Sequence, residues 1–130
     1  NTLSLHDALP IYFNSYVTKV RKKGMSYDAL ASLVDDDFTK LSKIQTNFES
    51  LTVPTSAIPT YESFKTLLDA YESYLSNFKL AMTSEHVQTL KAVVNPSTLN
   101  ALYTSSNTLF SKVESSYNNF IKVYTQLKNK

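Results

Sequence analysis

Apolar residues recur at alternating steps of four and three along three long stretches of this 130-residue chain. Such spacing puts the apolar side chains on one face of an α-helix, so each stretch predicts an amphipathic helix with a single buried seam. One Gly and four Pro in the whole chain supply few of the tight turns that a β-rich fold needs. The sequence therefore predicts an all-α protein, and 42% hydrophobic residues suffice for one buried core.

The first stripe predicts one helix from about Tyr12 to Leu51. Gly24 falls in phase with the stripe, as a small residue facing a neighbouring helix would, but a break at Gly24-Met25-Ser26 is the alternative. Pro54 and Pro59 then predict the first turn between helices. The stripe consists of Phe13, Val17, Val20, Gly24, Tyr27, Ala31, Val34, Phe38, Leu41, Ile44, Phe48 and Leu51.

The second stripe predicts a helix that changes register near its end. Its members are Tyr61, Phe64, Leu68, Tyr71, Leu75, Phe78 and Met82. After Met82 the apolar residues are Val87, Leu90 and Val94, which are out of phase with the preceding heptads. This slip predicts either a kink near Thr83 or a short separate helix from about Ser84 to Val94.

The third stripe runs to the end of the chain after a start signal in which Asn95 caps the helix and Pro96 takes its first position. Short Pro-containing connections place consecutive helices antiparallel. We therefore expect an antiparallel up-down-up three-helix bundle with a kinked or split second arm, or alternatively a four-helix bundle with one short helix. The third stripe comprises Leu99, Tyr103, Ser106, Phe110, Val113, Tyr117, Phe120, Tyr124 and Leu127.

One basic cluster lies on the first predicted helix, at Lys19, Arg21, Lys22 and Lys23. Clustered cations can contact anionic lipid headgroups, an acidic wall polymer or an acidic protein partner. The alternative is an ordinary solvated helix face. The formal net charge of the chain is only +2, which is too weak to indicate nucleic-acid binding.

Two tyrosines lie one step off the stripes, at Tyr16 and Tyr74, and these are the aromatic residues we predict to contact a ligand. The stripe tyrosines are better explained as core residues whose hydroxyls reach the rim. The acidic run Asp35–Asp37 is a poor metal site, because successive helical side chains point about 100° apart. Asp37 lies beside the apolar stripe, where we expect it to be partly covered and paired with a Lys from another arm.

No motif for nucleophilic, nucleotide or zinc chemistry occurs in the sequence, and cysteine is absent. We therefore predict no catalytic residue, no cofactor site and no metal site, and expect a protein that is not an enzyme.

The first residues differ in character from the remainder. Residues 2–11, TLSLHDALPI, resemble one translated frame of a widely used sequencing adapter. This resemblance implies that residues 1–11 are not native and that residues 12–130 are a single helical-bundle domain truncated at its N-terminus. A targeting signal or lipid anchor would then have been lost from this chain.

Residues 51–82, LTVPTSAIPTYESFKTLLDAYESYLSNFKLAM, resemble small helical lipoproteins and surface proteins of unknown function from Gram-positive bacteria. The resemblance implies an extracytoplasmic domain at the cell surface, tethered to the membrane only through a lost N-terminal anchor. Such a domain would bind an unknown protein or cell-envelope partner as a monomer or small oligomer. The alternative is a cytoplasmic or phage-derived helical protein that self-associates as a coiled coil.

Overall fold

A computed structural model describes residues 10–129, and the part of the chain within these limits contains helices and no strands. A 3₁₀ turn at Phe13–Tyr16 leads into the short helix α1, Val17–Arg21. The long helices follow as α2 Tyr27–Glu49, α3 Ile58–Leu90 and α4 Pro96–Lys128, with a second 3₁₀ turn at Thr55–Ala57. The all-α prediction is confirmed. The adapter-like stretch 2–11 lies outside the described residues except for Pro10 and Ile11.

The direction of each helix follows from its contacts with α3. Toward the start of the chain, Phe13 packs on Phe78 and Arg21 pairs with Glu85, so the segment that contains α1 runs parallel to α3. Helix α2 runs the opposite way, because its start contacts the end of α3 and its end contacts the start of α3. Helix α4 is antiparallel to α3 by the same criterion. The bundle is therefore up-down-up-down.

The predicted continuous helix from Tyr12 to Leu51 is wrong and the alternative break at Gly24-Met25-Ser26 is confirmed, because the chain folds back on itself at residues 22–26. The N–H of Gly24 donates to the carbonyl of Lys19 at 2.8 Å, and the N–H of Lys23 donates to Val20 at 3.1 Å. This pair of bonds is a Schellman cap, which ends α1 with Lys23 in the left-handed region at φ 63°. Ser26 then caps α2 by accepting a hydrogen bond from the Ala29 N–H at 3.0 Å.

The predicted kink after Met82 is also absent, and α3 is continuous to Leu90. The four-three spacing beyond Met82 continues through Glu85 and Thr89, and Glu85 turns inward to meet α1 and α4. Val87 and Leu90 are instead exposed. The apparent register slip thus came from apolar residues on the solvent face. The four-helix alternative with one short helix is correct in number, but the short helix is the first one.

Helix α3 ends in the same kind of cap that ends α1. The N–H of Val93 donates to Gln88 at 3.0 Å, the N–H of Ala92 donates to Thr89 at 3.1 Å, and Ala92 has φ 55°. The next helix begins as predicted, with the Asn95 side chain accepting from the N–H groups of Ser97 and Thr98 and with Pro96 in the first turn. Two helix ends therefore place a non-glycine residue in a conformation that favours glycine.

Replacing Ala92 by Gly is expected to stabilise the protein. A left-handed conformation costs an L-residue roughly 1–2 kcal/mol, and the larger unfolded-state entropy of Gly cancels only part of this gain. We expect Ala92→Gly to raise the free energy of unfolding by up to about 1 kcal/mol in urea denaturation. Ala101→Gly, at an exposed position inside α4, is the matched control and should lower it by roughly 0.5–1 kcal/mol. Equal losses for both variants would contradict the strained cap.

Within residues 10–129, no helix combines the length with the apolar character required to cross a membrane.

Candidate ligand-binding cleft

A half-open cleft of about 280 Å³ lies where the turn between α1 and α2 meets the last third of α3. Its floor is apolar and its rim is polar, and we call this site the turn cleft. A more open groove of about 610 Å³ between α3 and α4 is lined by Asp69, Glu72, Ser73, Ser76, Asn77, Leu80 and Leu109. The residues that line the turn cleft are Val17, Val20, Arg21, Lys23, Tyr27, Leu30, Met82, Glu85, His86, Thr89 and Tyr103.

A three-residue network fixes one side of the turn cleft. The Nε and Nη2 atoms of Arg21 donate to the two carboxylate oxygens of Glu85 at 2.7 and 2.8 Å. The Tyr103 hydroxyl donates to the same carboxylate at 2.8 Å, and the guanidinium lies 5.5 Å from the Tyr103 ring centroid. This bidentate geometry joins α1, α3 and α4 through one carboxylate.

The network holds its members in fixed protonation states. The hydrogen bond from Arg21 lowers the pKa of Glu85, and burial followed by the hydrogen bond to Glu85 raises the pKa of Tyr103. Glu85 is therefore ionised and Tyr103 neutral across the physiological pH range. Neither group has the near-neutral pKa that favours general acid or base catalysis.

The opposite side of the turn cleft is an aromatic wall. The rings of Tyr27 and His86 stack with centroids 3.7 Å apart and planes within 6° of each other. Tyr27 is the first residue of α2, so this stack holds the start of α2 against α3. Both sides of the turn cleft are thus built by contacts between different helices.

The predicted basic cluster divides between the turn cleft and the open surface. Arg21 and Lys23 line the turn cleft. Lys19 instead lies over the Tyr16 ring, 5.3 Å from its centroid, and Lys22 is exposed. Contact between this cluster and an anionic surface stays a prediction.

The predicted ligand contact at Tyr74 is wrong, because the side chain is completely buried. Its hydroxyl accepts from the backbone N–H of Phe13 at 2.8 Å and of Asn14 at 3.3 Å, and it donates to the Asn14 side chain at 2.7 Å. These N–H groups begin the first 3₁₀ turn, so Tyr74 caps that turn from another helix. Burial raises the pKa of Tyr74, which stays neutral. Tyr16 is half-buried against Phe13 and does not line the turn cleft.

Asp37 is buried, but its partner is not the predicted Lys from another arm. The Tyr71 hydroxyl of α3 donates to the Asp37 carboxylate and accepts from the backbone N–H of Ile11 at 2.8 Å. Burial raises the pKa of Asp37, and this effect outweighs the opposing hydrogen bond from Tyr71 and the charge of Lys40. The ionised carboxylate therefore destabilises the folded protein relative to the protonated form.

Replacing Asp37 by Asn should stabilise the protein at neutral pH. Because the pKa of Asp37 is raised in the folded state, folding takes up a proton at pH values between the ordinary pKa of 3.8 and the folded pKa. The free energy of unfolding therefore falls as the pH rises through this range. We expect the free energy of unfolding of Asp37→Asn to exceed that of the parent at pH 7, and the difference to shrink below pH 3.8. Asp36→Asn, at an exposed neighbouring position, is the matched control for the loss of one carboxylate. A constant difference across this range would contradict the buried-charge interpretation.

Among the described residues, no group of three or more His, Cys, Asp or Glu side chains is arranged to hold a metal ion. The fold and the turn cleft together define a class, that of an all-α helical bundle with a small cleft at a helical turn. Comparisons with protein-family models, with curated proteins and with solved structures find no match to this chain.

Proposed function

We propose that this chain is a non-enzymatic helical binding module whose turn cleft receives one apolar side chain of a protein partner. The volume of the turn cleft carries this proposal. About 280 Å³ lies just under the roughly 300–1,000 Å³ of small-molecule and cofactor sites, and it has room for one apolar side chain together with a neighbouring polar group. The apolar floor formed by Val17, Val20 and Leu30 supplies the contacts for such a group.

The charges at the rim favour a carboxylate beside that apolar group. Arg21 already neutralises Glu85 through two hydrogen bonds, so the additional cation at Lys23 leaves the rim net positive. The two hydrogen bonds between Arg21 and Glu85 restrict both side chains at the rim. A preorganised rim lowers the ordering cost of association and favours binding.

We propose that this module lies outside the cell membrane, at the cell surface, where a segment that precedes residue 12 tethers it. Support comes from the resemblance of residues 51–82 to Gram-positive helical lipoproteins. The ionised Glu85 and neutral Tyr103 further support a binding role over proton-transfer chemistry.

A pair of small probes tests the turn cleft directly. N-acetyl-leucine carries an apolar side chain beside a free carboxylate, and N-acetyl-leucinamide is identical except that the charge is removed. We expect N-acetyl-leucine to shift amide resonances around the turn cleft in ¹H–¹⁵N spectra, with a Kd on the order of 1 mM for so small a ligand. The amide should bind several-fold more weakly, and Lys23→Gln should remove most of that difference.

A matched pair of substitutions on α3 controls for location. Thr89 lines the turn cleft and Thr66 does not, and both hydroxyls donate to the carbonyl four residues earlier on the exposed side of the helix. Thr89→Trp should abolish probe binding by covering the mouth of the turn cleft, whereas Thr66→Trp should leave it unchanged. Equal effects of the two variants, or shifts that lie away from the turn cleft, would refute the proposal.

A second candidate is self-association, which is supported by Leu80 and Val87. These apolar residues lie one heptad apart on α3 and are 55% and 41% exposed. Light scattering over a range of protein concentrations tests this candidate. A concentration-dependent mass that Leu80→Ser abolishes would favour it over the monomeric module.

A further inference from the structure

Four apolar side chains are exposed together at one end of the bundle, around the turn between α3 and α4. We call Val87, Leu90, Val93 and Val94 the apolar tip. Leu90 and Val93 are 73% and 70% exposed, the highest values among the large apolar residues of the described chain. Apolar side chains exposed this strongly around one turn are typical of a site of association.

The same end of the bundle carries a net positive charge. Residues 17–30 and 83–103 contain five basic and two acidic side chains, a net charge of +3, although the whole chain has a net charge of only +2. One of the two acids, Glu85, is already paired with Arg21. The exposed lysines that remain near the apolar tip are Lys19, Lys22, Lys23 and Lys91.

The apolar tip lies at the same end of the bundle as the turn that carries Lys22 and Lys23. His86 stacks on Tyr27 at the start of α2, and α3 then continues for one more turn to Leu90, which adds about 6 Å. Val93 and Val94 follow in the connecting turn. Interfacial segments bury their apolar side chains roughly 5–10 Å into a membrane while cations remain among the headgroups. The exposed apolar tip and the exposed lysines at the same end of the bundle match this arrangement.

We propose that this end of the bundle docks on an anionic lipid membrane, with the apolar tip inserted at the acyl boundary and Lys22, Lys23 and Lys91 among the headgroups. The lysines supply charge complementarity to such a surface, and the exposed side chains of the apolar tip supply the apolar contact. This contact goes beyond the binding function proposed for the turn cleft, because it uses side chains outside the cleft floor.

Sedimentation with vesicles tests the proposal on the whole chain. Vesicles of phosphatidylcholine with about one-third phosphatidylglycerol should bind the protein, whereas pure phosphatidylcholine should not. Each lysine near an anionic surface contributes roughly a fivefold factor in partitioning, so Lys22→Gln with Lys23→Gln should weaken binding by more than tenfold. Val93→Ser with Val94→Ser should weaken it at least as strongly and should reduce the residual binding that survives high salt.

Matched controls come from the opposite end of the bundle. Lys122→Gln with Lys128→Gln and Leu51→Ser with Ile58→Ser alter exposed residues of the same types, and both pairs should leave partitioning unchanged. Equal binding to phosphatidylcholine, or equal losses at both ends, would overturn the proposal. Vesicle binding that Val93→Ser with Val94→Ser leaves unchanged would also overturn it. If the protein does not bind vesicles but this double substitution changes its oligomeric mass, the apolar tip contacts a second copy of this chain and the membrane proposal is wrong. N-acetyl-leucine binding to the turn cleft is measured without vesicles, so the cleft proposal and the membrane proposal can fail independently.

Discussion

Phe78→Ala is expected to lower the free energy of unfolding by about 3–5 kcal/mol, the largest effect of any single change considered for this bundle. Phe78 is completely buried at the middle of α3. Its ring packs against Phe13 at 5.8 Å, Tyr74 at 6.1 Å and Tyr103 at 6.3 Å between centroids. Removing it would leave a cavity among three separate segments, and these cannot all move inward to fill it.

Urea denaturation followed by far-ultraviolet circular dichroism measures this loss. Leu80→Ala, on the exposed face of the same helix, is the control and should change stability by no more than about 0.5 kcal/mol. Phe110→Ala should fall between the two, because Phe110 is only half-buried. A Phe78→Ala variant no less stable than Leu80→Ala would place the core elsewhere than between α3, α4 and the first 3₁₀ turn.

The apolar stripes predicted the long helices well because burial on one face depends on spacing alone. In α4, however, the stripe residues separate into two depths. Leu99, Ser106, Val113 and Phe120 are buried, whereas the alternate members such as Phe110 are half-buried. A helix that packs mainly on one neighbour buries one row of its seam more deeply than the other, and heptad spacing cannot distinguish the rows.

The fold-back after α1 could not be predicted from the stripe, because both sides of the break share one phase. Gly24 indicated a possible break in this region, but the residue with the left-handed backbone conformation is Lys23. The Schellman cap is defined by backbone hydrogen bonds, which leave little mark on residue type when glycine is not used. Ser26 was the local signal that a new helix begins there.

The turn cleft was missed for a related reason. Glu85 and Tyr103 lie far apart in the sequence and meet Arg21 only after the first arm has folded back. The heptad spacing from Met82 to Glu85 was the available signal, and it was masked by the more apolar Val87. In a helical bundle, polar residues that continue the spacing of an apolar seam therefore indicate a buried or bridging hydrogen-bond network.

Tyr74→Phe is expected to cost about 1–3 kcal/mol in docking the first segment while leaving the aromatic core intact. The substitution retains the ring that packs on Phe78 and Phe110. It removes the Tyr74 hydroxyl oxygen, which accepts hydrogen bonds from the N–H groups of Phe13 and Asn14. Within the described chain, these two N–H groups have no other hydrogen-bond acceptor. Because the segment before the turn is short, this loss should appear as local opening and not as unfolding of the whole bundle.

Hydrogen exchange separates local from global effects. Amides in residues 13–21 should exchange roughly 10-fold faster or more in Tyr74→Phe, while amides in the middle of α3 should change little. Tyr117→Phe, which removes the hydroxyl of a half-buried tyrosine on α4, should leave both regions unchanged. The same α1 segment supplies Val17, Val20 and Arg21 to the turn cleft, so faster opening should also weaken N-acetyl-leucine binding. Unchanged exchange would show that Tyr74 does not hold the segment, and unchanged binding despite faster exchange would show that α1 is not needed to form the site.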